Sequence, residues 1–545
     1  MSVFIGYPSF MAYQMMKGKK DNNDGFPSIP GTIARYSAKG LTNEQMATNP
    51  VWVDKTGNGH DLQMKNFAWD GKSGVGGYVT NKEVYEYDLN KYSYVFIPSE
   101  RKVHDFYVVF ELTGYDESFE DGFNLDVRST TQGLKKRVTY TKNGIYTFQY
   151  KDEEGLDNLL LVGYNGNGGE RSTFTVKFLP LYPGALVFDG VDDYGVCDNF
   201  PILTKEKGYT VVVLRQWITR GERALGLVSN VKDWLNNGAF LLEYRNIQAD
   251  HLNKPISFGA IGSEMDLPHI LTYQTSKSYN GVSITTGNFE GTDVLHVGKL
   301  APTNVGTCIN AAIWELVFLD HDATEEELTK IKDYFVKTYP WLFPDQAWTV
   351  TGKTNEDEDR ATIANITGNG NDLILSNFGF VEGSGYNEEG EYAGYLVTDG
   401  VDDKTASSIF KLGKDFTVVG EWEFLQDINN NSGLRKTSSF IIRNNALGLS
   451  LFINRTSQTT VVFNVKSLKA FCSNGLLYKN DWTEQIDTAS QFVTSSNSKL
   501  LIAFRDDGVT EYDKFAFKNL AIYPMVLSKD DCIKAYNYLQ TLKAK

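Results

Sequence analysis

Glu421-Trp422-Glu423 holds the two carboxylates of this sequence best spaced for acid–base chemistry. On an extended strand, residues two apart share a face, and two carboxyl groups facing one sugar are the equipment of glycoside hydrolysis. The repeat partner of this stretch, Leu214-Arg215-Gln216, carries no carboxylate, and no Glu-x-Asp-x-x-Glu pattern surrounds either. A solvated strand edge is the plainer reading, with hydrolysis through Glu421 and Glu423 as its alternative.

Two further stretches gather acids. Asp189-Gly-Val-Asp192-Asp193 returns as Asp399-Gly-Val-Asp402-Asp403. Three carboxylates in so short a run could contribute to a calcium site, which takes six to eight oxygens. The preferred reading is a tight turn after a core strand, with Gly at positive φ and Asp capping through its side chain. Calcium stays open on this count, and no metal ligand is assigned. Thr-Gly-Asn-Gly-His-Asp-Leu (56–62) likewise returns as Thr-Gly-Asn-Gly-Asn-Asp-Leu (367–373). The position that changes, His60 to Asn371, is the one with catalytic or metal-binding capacity. Turn geometry therefore explains the motif better than a site, and Asn-Gly favours a hairpin turn. The other histidines are scattered without His-x-His or His-x₃-His spacing. There is no Walker loop, Gly-x-Ser-x-Gly or His-Glu-x-x-His. Gly166-Asn-Gly168-Gly169 follows no helix-entry pattern, so it reads as a loop tip. Catalytic residues are therefore expected to be absent, and the ligand-binding residues are not assigned.

The elements that carry these motifs come as two copies of one unit. Thr42-Asn43-Glu44 matches Thr354-Asn355-Glu356, Asn66-Phe67 matches Asn377-Phe378, and Ser73-Gly74 matches Ser384-Gly385. Downstream, 185–195 matches 395–405, 209–213 matches 416–420, and 311–319 resembles 520–528. The spacing shrinks between these groups, so the first copy carries about 100 extra residues between Gly74 and Gly184. Val, Tyr, Phe and Thr runs broken by Gly, Asn and Asp predict strands throughout. The expected organisation is an N-terminal arm (1–30), a split first sandwich (31–77 and 183–338), and a small inserted β-sandwich (78–182). A proline-marked linker (339–345) then leads to a second sandwich (346–545). In the insert, Lys142-Asn143-Gly144 predicts a hairpin. Thr324 with Glu327, and Ser528 with Asp531, predict capped helices closing the two copies.

The chain of 545 residues has a formal net charge of −15, which disfavours a phosphate backbone as partner. No apolar window is long enough for a transmembrane helix. The N-terminus lacks the basic-then-apolar order of a secretory signal. Cys197, Cys308, Cys472 and Cys532 are far apart and read as separate buried thiols, with a Cys197–Cys308 disulfide as the alternative.

"DKTGNGHDL" (54–62) and "LVFDGVDDYG" (186–195) resemble laminin-G-like, concanavalin-A-like domains. The resemblance implies an all-β fold of two-sheet jelly rolls that bind glycans or proteins through edge loops, in some members with calcium. More narrowly, 179–195 and 204–213 resemble multi-domain virion proteins of crAss-like and related Bacteroidales tailed phages. The second copy lacks the insert and the "TKEKG" stretch of that pattern. The resemblance implies a non-enzymatic virion component without a cofactor, a head or tail fibre or surface attachment, in which the arm contacts other virion proteins. Host-surface polysaccharide is the expected external partner, and self-association is expected without a coiled-coil heptad to set its order. Localisation to the virion follows. A bacterial surface lectin or adhesin is the rival reading.

Overall fold

The computed structural model describes residues 24–77, 84–87, 95–97, 105–118, 122–151, 159–165, 173–203, 207–218, 225–229, 241–244, 257–259, 269–274, 278–279, 292–299, 308–388, 390, 392–426, 432–436, 439–445, 448–453, 460–463, 466–486, 496–503 and 512–544. Residues 1–23 of the expected arm, Thr204–Glu206 and Gly166–Gly169 lie outside them. The described residues are mostly strands, in six sheets, and the fold is all-β. Two 7-stranded sheets are built from residues on either side of the insert, two 4-stranded sheets from the insert, and two 8-stranded sheets from the C-terminal part.

Each large pair of sheets encloses an apolar core. Val211, Val213, Trp217, Ile313, Leu316 and Phe318 face one core, and Val418, Trp422, Phe424, Phe517, Leu520 and Ile522 the other. The alternate residues of the same strands face a further apolar layer. Val212, Leu214, Trp314 and Val317 meet Val419, Ala521 and Tyr523 there, together with both closing helices. Burial on both faces explains why Asn310–Leu319 is nearly continuous in apolar residues instead of alternating. Each large side chain fully buried here stabilises by about 1.5–3 kcal/mol. Residues 339–345, marked as a linker by their prolines, belong to this layer. Tyr339, Trp341 and Leu342 are buried in it, and Ile145 of the insert packs against its edge.

We label the helices α1 (Asn43–Thr48), α2 (Glu325–Thr338) and α3 (Lys529–Gln540). α2 opens on the full Thr324–Glu327 capping box, and Ser528 accepts from the Asp531 backbone N–H to cap α3. Both caps follow the sequence signal.

Two local expectations are corrected. Lys142-Asn143-Gly144 is no hairpin. Gly133–Tyr140 pairs with Phe123–Ser129, and Gly144–Lys151 pairs with Asp105–Thr113 in the opposite sheet. Asn143 turns the chain between sheets by exchanging hydrogen bonds with the Tyr115 backbone, both 2.8 Å. The matching of 311–319 with 520–528 also shifts. Thr210 pairs with Leu319, and its equivalent Thr417 pairs with Tyr523. Hence Leu319 corresponds to Tyr523, and Glu315 to Asn519. Apolar composition repeats along both strands, so similarity by eye tolerates the wrong register. In the correct register both copies share a bulge, with Trp314 and Lys518 as the unpaired residues.

Candidate functional site

Glu421 and Glu423 do share a strand face, the one turned away from the second core. Glu421 is not free there. Its Oε1 accepts from the Tyr395 hydroxyl at 2.6 Å, and its Oε2 lies 3.8 Å from Lys518 Nζ. Lys469 donates to the Tyr536 hydroxyl of α3 at 2.6 Å. Burial pushes the Glu421 carboxyl up, but Lys518 and Lys469, with the Tyr395 bond, outweigh it and hold the group down at about 2. A carboxylate so held is a counter-ion. The first copy puts Leu214 and Trp314 in the places of Glu421 and Lys518, so charge and counter-charge occur together in one copy and neither in the other.

The two Asp turns are nearly superimposable in their bonds. Asp193 Oδ2 accepts from the Asp189 N–H at 3.0 Å and its Oδ1 from Ser73 Oγ at 3.0 Å; Asp189 Oδ1 accepts from the Val191 N–H at 2.7 Å. Asp403, Ser384, Asp399 and Val401 repeat the set at 2.8, 3.1 and 2.7 Å. Burial, then neighbouring aspartates, push Asp193 up to about 7; burial pushes Asp403 up to about 6. Each trio gathers within 4.8 Å. However, both oxygens of the inner Asp and one of the first are committed to the turn. The oxygens left over, on the outer two aspartates of each trio, supply only part of the six to eight that calcium takes. The Thr-Gly-Asn-Gly motifs are also scaffolding, though not two-residue hairpins. Residues 53–61 form a longer loop. Asp54 accepts from the Thr56 N–H and hydroxyl and from the Arg35 N–H. Asn365 takes that place in the second copy.

All four cysteines are free and buried. Cys472 and Cys532 lie in one apolar layer, and the Cys472 thiol donates to the Leu527 carbonyl at 3.9 Å.

A groove of about 640 Å³ opens at one corner of the second sandwich. One wall is the half-buried Phe380, stacked on the buried Tyr386 with ring centroids 6.4 Å apart and 30° between planes. Asn355, Glu356, Glu382, Glu388 and Gly390 line the rest. Asn355 fixes the corner by bonding both the N–H and the C=O of Tyr386 at 2.8 Å. Phe380 sits at φ +51° before a tight Val381–Ser384 bridge, its ring half-buried against the edge of the core. Arg360 stacks over the Phe380 ring at 5.1 Å, and Tyr386 donates to the Arg360 carbonyl at 2.7 Å. The first copy builds the same corner. Asn43 bonds both backbone groups of Val75, and Trp69 sits at φ +56° over Phe67.

Gly385 is what allows the approach. A Cβ there would lie 2.4 Å from Asn355 Oδ1 and 2.8 Å from the Phe380 Cα. Gly385→Ala is therefore expected to destabilise the second sandwich by about 1–3 kcal/mol. Thermal unfolding should record a lower Tm, while the loop variant Gly383→Ala, whose added Cβ meets nothing within 4 Å, serves as a control for strain at positive φ alone.

A smaller cavity of about 310 Å³ lies between α2 and the segment before α3, against Val336, Pro340, Met525 and Val526. It has apolar walls, with Asp333 and Asp531 beside them.

The groove was not among the sites expected from sequence. Asn355-Glu356 and Ser384-Gly385 were visible as repeated residues, which marked scaffold. Phe380, Glu382 and Glu388 differ from their repeat partners and carried no signal until the corner brought them together.

No family model matches the chain, and no curated protein matches it. Among solved structures, domain 4 of AbnA, a GH43 extracellular arabinanase from Geobacillus stearothermophilus in complex with arabinotriose, is 13% identical. The match covers 35% of this chain and 97% of that one, with a TM-score of 0.23. Trypanosoma rangeli sialidase in complex with sialic acid is 8% identical over 80% of this chain and 82% of its own, TM-score 0.24. The binding domain of botulinum neurotoxin serotype D is 10% identical over 64% and 89%, TM-score 0.25. At these TM-scores the likenesses carry no argument about this chain, and its function is read from its own residues.

Proposed function

We propose that this chain is a non-enzymatic virion protein of a tailed phage, a fibre or surface-attachment component, whose second sandwich binds host-surface glycans. The observation that carries the binding role is the corner groove. A sugar ring presents C–H faces that pack on an aromatic wall and a rim of hydroxyls that need acceptors and amides. The half-buried Phe380 supplies the first, with Tyr386 buried beneath it, and Glu356, Glu382 and Glu388 the second. Its volume falls within the range of small-molecule sites. The virion role rests on the resemblance of 179–195 and 204–213 to phage virion proteins. The non-enzymatic reading is supported by Glu421, which is tied to Lys518 and Tyr395 and does not line the groove.

A glycan array probed with the full chain tests the binding role. Phe380→Ala should weaken the strongest signals about tenfold, while Trp69→Ala in the first copy leaves them unchanged. Equal retention of signal in Phe380→Ala would place the ligand elsewhere. Immunogold labelling of purified particles tests the virion role, and a protein absent from the particle overturns it.

A further inference from the structure

We infer that residues 3–16 of the N-terminal arm seat their apolar side chains in the cleft between α2 and the segment before α3 of the same chain. Both copies wall this cleft. Val336 lies on α2, which closes the first copy, and Met525 and Val526 belong to the second. Val336, Pro340 and Met525 are half-buried, and Val526 is 37% exposed. The cleft thus leaves apolar surface in water that a further apolar group would cover. At about 310 Å³ it suits a short segment of chain rather than a folded partner.

The arm enters the described residues at this helix. Asp24 bonds Arg35 at 2.8 Å, and Phe26 packs edge-on against Tyr334 of α2, ring centroids 5.1 Å apart. Asp24 stands eight residues after Met16, a span of up to about 26 Å. α2, with 14 residues, is about 21 Å long, so residues 3–16 can reach any point along it. Nine of those fourteen arm residues are large and apolar or aromatic, Phe4, Ile5 and Phe10 among them. Such a stretch is too rich in apolar side chains to stay solvated as a tail. The charges match as well. Asp333 and Lys337, one turn apart on the helix wall, make no hydrogen bond or ion pair with a described residue. Lys17, Lys19 and Lys20, then Asp21, follow the apolar stretch and supply a partner for each. In the virion reading the arm meets other virion proteins, and a seat on its own chain covers its apolar side chains until it does.

Val526→Cys gives the cleft one accessible thiol, since the four native thiols are buried. Its rate of labelling by a soluble disulfide reagent is measured in the full chain and in the same variant without residues 1–20, which keeps Asp24 and Phe26. The full chain should label about tenfold more slowly, at a rate independent of protein concentration. Phe4→Asp/Phe10→Asp in the full chain should restore the faster rate. Equal rates with and without the arm overturn the inference. Protection that grows with protein concentration assigns the cleft to the arm of a second copy and overturns it too. Carbodiimide coupling of the unsubstituted chain gives a second measurement. Mass spectrometry of the monomer should find Lys17, Lys19 or Lys20 joined to Asp333, and coupling of these lysines only to other acids counts against the seat.

Discussion

Glu315→Ala should destabilise the first sandwich by about 3 kcal/mol, the cost of breaking a buried ion pair by removing one partner. Glu315 is fully buried, and Arg35 is only 4% exposed. Arg35 Nε lies 3.3 Å from Glu315 Oε2, and the Tyr339 hydroxyl donates to Oε1 at 2.8 Å. Arg35 Nη2 donates to the Tyr334 hydroxyl, and its Nη1 reaches Asp24, both at 2.8 Å. Its guanidinium also lies 4.1 Å from the centre of the Phe26 ring. Removing the carboxylate takes away the buried partner of the guanidinium and leaves it the partly exposed Asp24 and the Tyr334 hydroxyl. The second copy shows the alternative, because strand pairing places Ala347 where Arg35 stands and Asn519 where Glu315 stands. Both charges are replaced together. The double variant Arg35→Ala/Glu315→Asn should therefore lose less than the sum of the single changes. Urea unfolding of the four proteins closes the cycle, and strict additivity would refute the coupling.

Stability should rise and then fall as the solution is acidified, with its maximum between about pH 4 and 6. Asp193 and Asp403 titrate near 7 and near 6 when folded, above the ordinary 3.8. The folded state takes up their protons first, so stability increases as pH falls through 7 and 6 towards 4. Glu421 works the other way. Its folded value is about 2 against an ordinary 4.5. Its contribution is complete above 4.5 and is lost as pH falls towards 2, a loss of roughly 3 kcal/mol. Glu421→Gln should lower stability at neutral pH, since Lys518 and Lys469 lose their counter-ion. It should also flatten the acid limb below 4.5. An unchanged acid limb in that variant would show that Glu421 does not carry it.

The sheets were legible because turn residues repeat where side chains outside the core do the work. Asp193 and Asp403, Ser73 and Ser384, and Asn43 and Asn355 make the same bonds twice, so selection for one turn left the same letters in both copies. The register of Asn310–Leu319 against Phe515–Tyr523 was not legible, because any large apolar residue satisfies a strand buried on both faces. Asn143 misled for a related reason. Asn-Gly between β-formers signals a reversal of direction, but tertiary pairing decides whether the next strand joins the same sheet. The groove was illegible for a third reason. It depends on the positive φ of Phe380, and that follows from the Gly385 approach and the Asn355 clamp rather than from Phe itself.

The placement of Arg35 also has a mechanical side. Thr32–Ser37 runs antiparallel to Asn310–Leu319, with Thr32 opposite Leu319. The chain before Thr32 and the chain after Leu319 thus leave from the same end of the pair. A tether pulling on the N-terminal side, against a load borne by the C-terminal half, would open these rungs one at a time, like a zipper. The Arg35 cluster, with Asp24 and Phe26, lies at the mouth of that zipper, and its contacts would have to break before the rungs part.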